Sequence, residues 1–271
     1  MGSDPRDHVR AQGLQGVTMR HISIAALVAL GACKGDERVV YQSRNNRHYT
    51  EPVPGKPPID DMVRVRASTD GALKEFYIDR DEVTAGQYGH CESLRRCDSP
   101  FHVNACEDEH VNSFEEPDRP MNCVGPREAK QYCRYRGKRL PTRAEWLHAA
   151  LGDDGRAFPW GNEPPSCKNA VIHDKGCPAT KSIVVGSRPT GASPYGAQDM
   201  VGNVSELAFE PPQLHGEGTY VVMGGNYGTS PDSLALGLQQ PPGILDTPQQ
   251  GFRCAWSADM LPSSGMIRGP Q

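Results

Sequence analysis

Six short motifs in a fixed order over the last two-thirds of the chain constrain its fold more than any other feature of the sequence. Each motif joins apolar or aromatic residues to glycine, asparagine or charged residues, and each one alone is a weak signal. Together, in this order, they form a strong one. The motifs are FYIDRDEVTAGQY (76–88), GKRLPTRAEW (137–146), FPWGNEPP (158–165), SPYGAQDMVGNVSE (193–206), MGGN (223–226) and GFRC (251–254).

The composition predicts a fold rich in turns rather than in long helices. Glycine and proline together make up 53 of the 271 residues, and both residues favour turns and irregular segments. Hydrophobic residues make up 37% of the chain and aromatic residues 7%, so the apolar core is thin for this length. Ordering many loops is costly in backbone entropy, and crosslinks or bound ions are the usual remedy.

The charge pattern gives no indication of nucleic-acid binding. The net charge is −4 at pH 7 and the chain has no long basic run, whereas nucleic-acid-binding domains cluster Lys and Arg on one surface. The densest basic stretch is RYRGKR at 134–139. It is predicted to be a solvated helix end.

Local patterns predict one strand and three short helices. The strand covers residues 73–79, with apolar residues at 73, 76 and 78. Capping boxes that begin at Thr84 and at Thr142 each predict a helix start. Pro126 suits the first position of another helix, and Gly137 suits the position beyond its end.

The amino terminus has the pattern of an export signal. A basic segment at 19–21 precedes a short apolar stretch at 22–30, which is far below the roughly 20 residues that span a bilayer. Cys33 follows small residues and resembles the lipid-modified cysteine of a bacterial lipobox. We therefore predict an export signal over 1–33, with Met19 as the real start and lipid on Cys33. An ordinary export signal with an incidental cysteine is the alternative.

The rest of the chain divides into three parts. Residues 34–60 are polar and proline-rich, which predicts an extended linker between the lipid and the domain. The domain itself is predicted at 61–258, and residues 259–271 form a tail. This organisation predicts a lipid-anchored protein of the bacterial cell envelope, outside the cytoplasm and in contact with the membrane through Cys33.

The cysteine count predicts a disulfide framework. The chain has nine cysteines, and setting aside Cys33 leaves an even number, as is typical of exported domains. Metal-binding or catalytic cysteines are the alternative, although no CxxC pair occurs. The eight remaining cysteines are Cys91, Cys97, Cys106, Cys123, Cys133, Cys167, Cys177 and Cys254.

The six motifs resemble those of the formylglycine-generating enzyme (sulfatase-modifying factor) family. The resemblance implies an α+β fold that is related to C-type lectin domains and contains little regular secondary structure. It also implies a disulfide between Cys133 and Cys254, since the family pairs the corresponding cysteines. The remaining pairs are assigned by proximity in the sequence, as Cys91–Cys97, Cys106–Cys123 and Cys167–Cys177.

The resemblance further implies structural Ca²⁺, which takes six to eight oxygen ligands. At the first site the side chains would come from Asp199 and Glu206, and the backbone carbonyls from Gly202 and Val204. A turn cap and a surface carboxylate are the alternative for those two side chains. A second site would use Asn169 with the Ala170 carbonyl and Asp174 with the Gly176 carbonyl.

The catalytic residues of the family are the part that the sequence lacks. Formylglycine-generating enzymes oxidise a substrate cysteine with O₂ and copper(I), a soft ion that binds thiolates. The family places two cysteines in the interval that corresponds to 224–251, and this interval contains none. The chain also has NVSEL at 203–207, where the family commonly has NVWEW. No copper is therefore expected.

These observations favour a pseudoenzyme over an active enzyme. The preferred hypothesis is a lipid-anchored, non-catalytic binding or structural module whose partner is a protein, peptide or glycan. One alternative is a formylglycine-generating oxidase, and another is a different activity on the same scaffold. Fold resemblance alone does not choose among them.

Overall fold

The computed structural model describes residues 40–42, 48–50, 58–100, 116–212, 217–234, 238 and 247–260. All of them belong to one compact unit, Arg38–Gln271. The predicted export signal with Cys33 and most of the predicted tail lie outside the described residues, as does Cys106. No helix within the described ranges is long and apolar enough to cross a membrane.

The elements are short, and turns separate most of them. In chain order the strands are β1 (Val40–Gln42), β2 (His48–Thr50), β3 (Met62–Val65), β4 (Phe76–Asp79), β5 (His173–Asp174), β6 (Cys177–Pro178), β7 (Ser205–Glu210), β8 (Thr219–Met223), β9 (Gln250–Gly251) and β10 (Ala255–Trp256). The helices are α1 (Ala85–Ser93), α2 (Pro126–Tyr135), α3 (Arg143–Leu151) and α4 (Pro231–Leu234), with 3₁₀ turns at Pro189–Gly191 and Ala258–Met260.

Two three-stranded sheets bring distant segments together. In the first sheet the order is β10–β4–β3, all antiparallel, so Ile78 faces both Val63 and Ala255. In the second sheet the order is β8–β7–β9, with β7 antiparallel to β8 and parallel to β9. Because β9 and β10 flank the GFRC motif, with Gly251 shared by β9 and the motif, this short segment joins the two sheets.

The capping boxes at Thr84 and Thr142 are both present. The Thr84 hydroxyl accepts from the Gln87 amide, and the Gln87 side chain accepts from the Thr84 amide. Thr142 and Glu145 make the same reciprocal pair at the start of α3. Both helix starts are therefore predictable from the sequence, since the cap satisfies backbone donors that no other group can reach.

Pro126 is the first residue of α2, as its fixed φ angle predicts. The strand predicted at 73–79 begins three residues later, at Phe76. The reason is a turn, because the Ser68 amide donates to the Leu73 carbonyl and the Leu73 amide donates to the Ser68 hydroxyl. Within the predicted linker at 34–60, β1 and β2 pair as antiparallel strands.

The core consists of two apolar clusters. One surrounds Trp146 of α3 and Ile78 of β4, both fully buried. The other is built on aromatic contacts, with ring centroids 5.8 Å apart for Tyr88 and Tyr132 and 5.6 Å apart for Tyr132 and Phe252. Such pairs contribute about 0.5–1.5 kcal/mol each beyond the area they bury.

Two of the predicted disulfides are present in the second cluster. Cys133 of α2 is bonded to Cys254, and Cys91 of α1 is bonded to Cys97. Cys123 and Cys167 are also disulfide-bonded. Their predicted partners are Cys106, which lies outside the described residues, and Cys177, whose side chain does too, so these two pairings stay predictions.

Candidate binding cavity

A polar cavity of about 370 Å³ lies where the segment after β4 meets α1 and α2. The FYIDRDEVTAGQY motif supplies one wall, and the end of α2 with the following turn supplies the other. Both acidic and basic side chains face this space. The lining residues are Asp61, Asp79, Arg80, Asp81, Glu82, Val83, Thr84, Gln87, Tyr132, Arg136 and Lys138.

A buried ion pair fixes one side of the cavity. The Lys138 Nζ atom lies 2.5 Å from Asp79 Oδ1, and both side chains are buried. The other oxygen, Asp79 Oδ2, accepts from the Cys254 amide at 2.8 Å. The stretch 134–139, predicted to be solvated, is therefore only partly exposed to solvent, because Lys138 is buried against Asp79. The sequence pattern does not reveal this contact.

Arg136 brings a guanidinium group to the cavity wall. Its Nε atom is buried and has no hydrogen-bond partner. Burial lowers the pKa of Arg136, but Tyr132, Asp79 and Asp61 outweigh that effect and the guanidinium stays charged. Burial also raises the pKa of the Tyr132 phenol, so the hydroxyl stays protonated. The cavity can therefore offer donors to an anionic or carbonyl group of a ligand.

Glu82 connects the cavity to the SPYGAQDMVGNVSE motif. Its carboxylate accepts from Asn203 Nδ2 at 2.8 Å and from the Val204 amide at 3.2 Å. The side chain is almost fully buried, and this burial raises its pKa well above the ordinary value. Asn203 has a φ of 57°, a conformation that asparagine tolerates better than most residues. Glu82 of the first motif thus anchors the turn at Asn203 and Val204.

Glu206, a predicted calcium ligand, forms an ion pair with Arg253. The Arg253 Nε atom lies 2.7 Å from Oε2, and Nη2 lies 2.6 Å from Oε1. Trp146 Nε1 donates to Oε2 at 2.8 Å. Arg253 and Glu206 are almost completely buried. Both carboxylate oxygens thus accept from protein donors, and the calcium role of Glu206 stays a prediction.

The other residues of the first predicted calcium site are held by protein groups as well. Asp199 is buried, and its Oδ2 atom accepts from the Gly186 amide at 2.5 Å. Gly202 lies against Val171, where an added Cβ would come within 2.4 Å of the carbonyl oxygen. The Val204 amide donates to Glu82, as described above. These contacts hold the turn through the Asp199 side chain and the Val204 amide. They leave the Gly202 and Val204 carbonyls untested as ligands, so the first calcium site stays a prediction.

The second predicted calcium site stays a prediction. Asn169 Oδ1 accepts from the Ser166 amide at 2.8 Å, and the Ala170 amide donates to the Ser166 carbonyl. Asp174 lies in β5 and is partly exposed, and Gly176 is in the turn that follows. In the part of the chain that the structure describes, no three His, Cys, Asp or Glu side chains are grouped as metal ligands.

The interval 224–251 forms polar turns where it is described. Asn226 Oδ1 accepts from the Gly228 amide at 2.9 Å, and the Asn226 amide donates to Thr229 Oγ1 at 3.0 Å. The Tyr227 amide donates to the Asn203 carbonyl. Because the interval has no cysteine, it does not fit a copper(I) ion held by two thiolates.

Sequence reasoning missed the two buried ion pairs. Arg253 lies between Phe252 and Cys254 in GFRC, so both neighbours are buried and a charge there requires a buried partner. The position of an arginine between these two residues was the only sign of a buried ion pair in the sequence. The partner itself, Glu206, is 47 positions away and could be found only from the sheet that joins β7 to β9.

Comparison with known proteins gives a family profile and several relatives. The profile of the sulfatase-modifying factor enzyme 1-like domain matches residues 39–258. The chain is 40% identical over 98 residues to hercynine oxygenase of Mycolicibacterium smegmatis, covering 35% of this chain and 22% of that protein.

Two further relatives come from Bos taurus. Over 156 residues the chain is 32% identical to inactive C-alpha-formylglycine-generating enzyme 2, covering 53% of this chain and 52% of the relative. Over 187 residues it is 31% identical to formylglycine-generating enzyme, covering 55% and 46%. The chain thus spans about a fifth to a half of the length of these relatives.

Two solved structures share the fold. CarF aligns with a TM-score of 0.53 and 23% identity, covering 68% of this chain and 87% of that chain. PvdO from Pseudomonas aeruginosa aligns with a TM-score of 0.53 and 21% identity, covering 82% and 99%. The predicted α+β fold, disulfide-stapled and low in regular secondary structure, is confirmed.

Proposed function

Because the chain belongs to the family of sulfatase-modifying factor enzyme 1-like domains, we propose that it is a non-catalytic binding module of that family. The relatives include formylglycine-generating enzyme and hercynine oxygenase, and also a protein whose name marks it as inactive. Family membership alone therefore leaves the activity open. The observation that carries the proposal is the interval 224–251, which has no cysteine.

Copper(I) binding tests this proposal directly, because the proposal depends on the absence of cysteine from the interval 224–251. The disulfide-intact chain is titrated with copper(I) in competition with bicinchoninate, with a formylglycine-generating enzyme as the positive control. Without a thiolate pair the chain leaves the metal with the chelator. Retention of one equivalent of copper(I) by the unreduced chain would contradict the proposal.

We further propose that the module is held at the membrane of a bacterial cell envelope by lipid on Cys33. The support is the order of basic segment, apolar stretch and small residues before this cysteine. Cells expressing the full chain are grown with an alkyne-tagged fatty acid, and the mass of the purified protein is measured by mass spectrometry. Label is expected on the parent chain and absent from Cys33→Ala. Label that persists in Cys33→Ala would contradict the anchor.

The cavity is the proposed ligand site, and the charged Arg136 guanidinium in its lining favours a ligand that carries a carboxylate. Such a group is available on a peptide end or an acidic sugar. The probes are acetylglycine and glucuronate, with glucose as the uncharged control, followed through the backbone amide resonances of Thr84 and Gln87.

Saturable shifts with the two carboxylates, lost in Arg136→Gln and kept in Arg64→Gln, support this assignment. Arg64 is a suitable control because it is exposed and paired with Glu75 on the first sheet. Equal shifts with glucose, or shifts that survive in Arg136→Gln, would contradict it.

A further inference from the structure

A second concave surface, separate from the cavity, lies between α2 and the loop closed by the Cys91–Cys97 disulfide. We call it the basic groove. Its volume is about 780 Å³, and it is lined mainly by long side chains of α2. Four of its seven lining residues are basic and one is acidic, although the chain as a whole carries a net charge of −4. The basic residues are Arg96, Arg127, Lys130 and Arg134.

Most of this positive charge is not neutralised within the described residues. Arg127 is paired with Asp98 at 2.8 Å and with Glu128 at 3.0 Å. In contrast, no described carboxylate forms an ion pair with Arg96, Lys130 or Arg134. Lys130 instead lies over the Tyr220 ring, 5.6 Å from its centroid.

The spacing of these residues concentrates the charge on one face of α2. Residues 127, 130 and 134 are three and four positions apart, so they are neighbours on the helix surface. Like charges at this spacing destabilise a helix. Helix stability alone therefore does not account for the arrangement of Lys130 next to Arg134, whereas binding of an anionic partner does.

The groove is held in shape before any partner arrives. The Asp98 amide donates to Gln131 Oε1 at 2.8 Å, and the Tyr88 hydroxyl donates to the Asp98 carbonyl at 2.8 Å. Disulfides at Cys91–Cys97 and Cys133–Cys254 fix the two walls. A rigid site loses less entropy on binding, which raises its affinity for a given set of contacts.

We propose that the basic groove binds an acidic peptide segment of a partner protein. Charge complementarity selects an anionic partner, and guanidinium groups such as Arg96 and Arg134 match carboxylates in two-point hydrogen bonds. The surface is concave, and Gln131 in its lining can still donate through Nε2 because the hydrogen bond from the Asp98 amide uses its Oε1. A polypeptide chain fits such a groove better than the flat face of a membrane.

The test uses the full chain and a fluorescein-labelled peptide of alternating Glu and Gly, with fluorescence anisotropy as the readout. The groove variant is Lys130→Gln/Arg134→Gln, and the matched control is Lys74→Gln/Lys175→Gln, which removes the same charge from exposed positions elsewhere. The variant Lys130→Arg/Arg134→Lys keeps the charge. Vesicles containing phosphatidylglycerol are tested in parallel.

The expected result is saturable binding of the peptide that weakens about tenfold or more in the groove variant and with added salt. The control and the charge-keeping variant bind within about twofold of the parent chain. Equal weakening in the groove and control variants, or no binding at all, would overturn the proposal. It would also be overturned if the groove variant lost binding to the vesicles while peptide binding was unchanged.

Discussion

Arg253 is the charged side chain on which the interior of this molecule depends most. It forms a two-point ion pair with Glu206, and its Nη atoms also donate to the Asp79, Arg80 and Gln198 carbonyls. Each of its donors thus has a protein acceptor in place of water. An ion pair this deeply buried is stable only while both partners are present, because a lone buried charge has no solvent to stabilise it.

Removing one partner of this pair is expected to be severely destabilising. Glu206→Gln removes the carboxylate that pairs directly with the buried Arg253 charge, and we expect the free energy of unfolding to fall by about 3–5 kcal/mol. Urea denaturation followed by tryptophan fluorescence measures the change. Glu75→Gln, which breaks an exposed pair with Arg64, is the control and leaves the midpoint unchanged. A Glu206→Gln midpoint equal to that of the parent chain would refute this role.

Asp199 gives the molecule a pH-dependent element of stability. Burial, only partly offset by the Gly186 amide and Arg253, raises its pKa from 3.8 to about 6. A carboxyl whose pKa is raised on folding stabilises the native state while protonated, so the contribution is complete below pH 3.8. It is lost as the pH rises through about 6, and it is on the order of 3 kcal/mol.

The variant Asp199→Asn should remove this dependence. Asparagine keeps an acceptor for the Gly186 amide and tolerates the positive φ of 53° at this position. Unfolding free energies are measured in urea from pH 4 to pH 7. The parent chain is expected to lose stability relative to Asp199→Asn across this range. Parallel curves for the two proteins would show that Asp199 does not titrate there.

At the scale of single elements, the capping box of α3 is the feature most open to measurement. Thr142 Oγ1 accepts from the Glu145 amide, and Glu145 Oε2 accepts in return from the Thr142 amide. Thr142→Ala leaves the Glu145 amide without its cap, and a loss of about 1 kcal/mol in unfolding free energy is expected. Thr142→Ser keeps the hydroxyl and serves as the control. Equal losses in both variants would assign the effect to the methyl group instead.

The elements differ in how far they could be predicted from the sequence. The starts of α1, α2 and α3 follow from local chemistry, since a threonine cap or a first-turn proline acts within a few residues. Strand β7 was not predicted. Its first four residues are buried, so it lacks the alternation of buried and exposed residues that indicates a strand.

In the candidate site, too, local features could be predicted from the sequence and contacts between distant residues could not. Thr84 and Gln87 were identified as a helix cap, and the structure places that cap on the cavity wall. Lys138 and Asp79 were not connected, because 59 residues separate them and only the fold brings them to 2.5 Å. Glu206 was assigned to calcium from the family resemblance, and its ion pair with Arg253 was not predicted because 47 residues separate the two. An ion pair between residues that are distant in the sequence produces no local periodicity, so it cannot be predicted from the sequence pattern.

For the whole molecule, the Cys133–Cys254 disulfide is expected to be the most stabilising of the described crosslinks. It joins residues 121 positions apart, whereas Cys91–Cys97 joins residues six apart. In the chain-entropy model the long bridge contributes about 4–5 kcal/mol and the short one about 2–3 kcal/mol. Denaturation of Cys133→Ala/Cys254→Ala and of Cys91→Ala/Cys97→Ala measures the difference. A greater loss from the short bridge would contradict the entropic argument.

The central claim is that this scaffold retains its structural motifs without the oxidase chemistry of its active relatives. The most direct test is incubation of the purified chain with copper(I), O₂ and a peptide carrying the sulfatase cysteine motif. A formylglycine-generating enzyme under the same conditions is the positive control. Mass spectrometry of the peptide is predicted to show unmodified cysteine with this chain and formylglycine with the control. Formylglycine formed repeatedly by this chain, in excess over the protein, would contradict the claim.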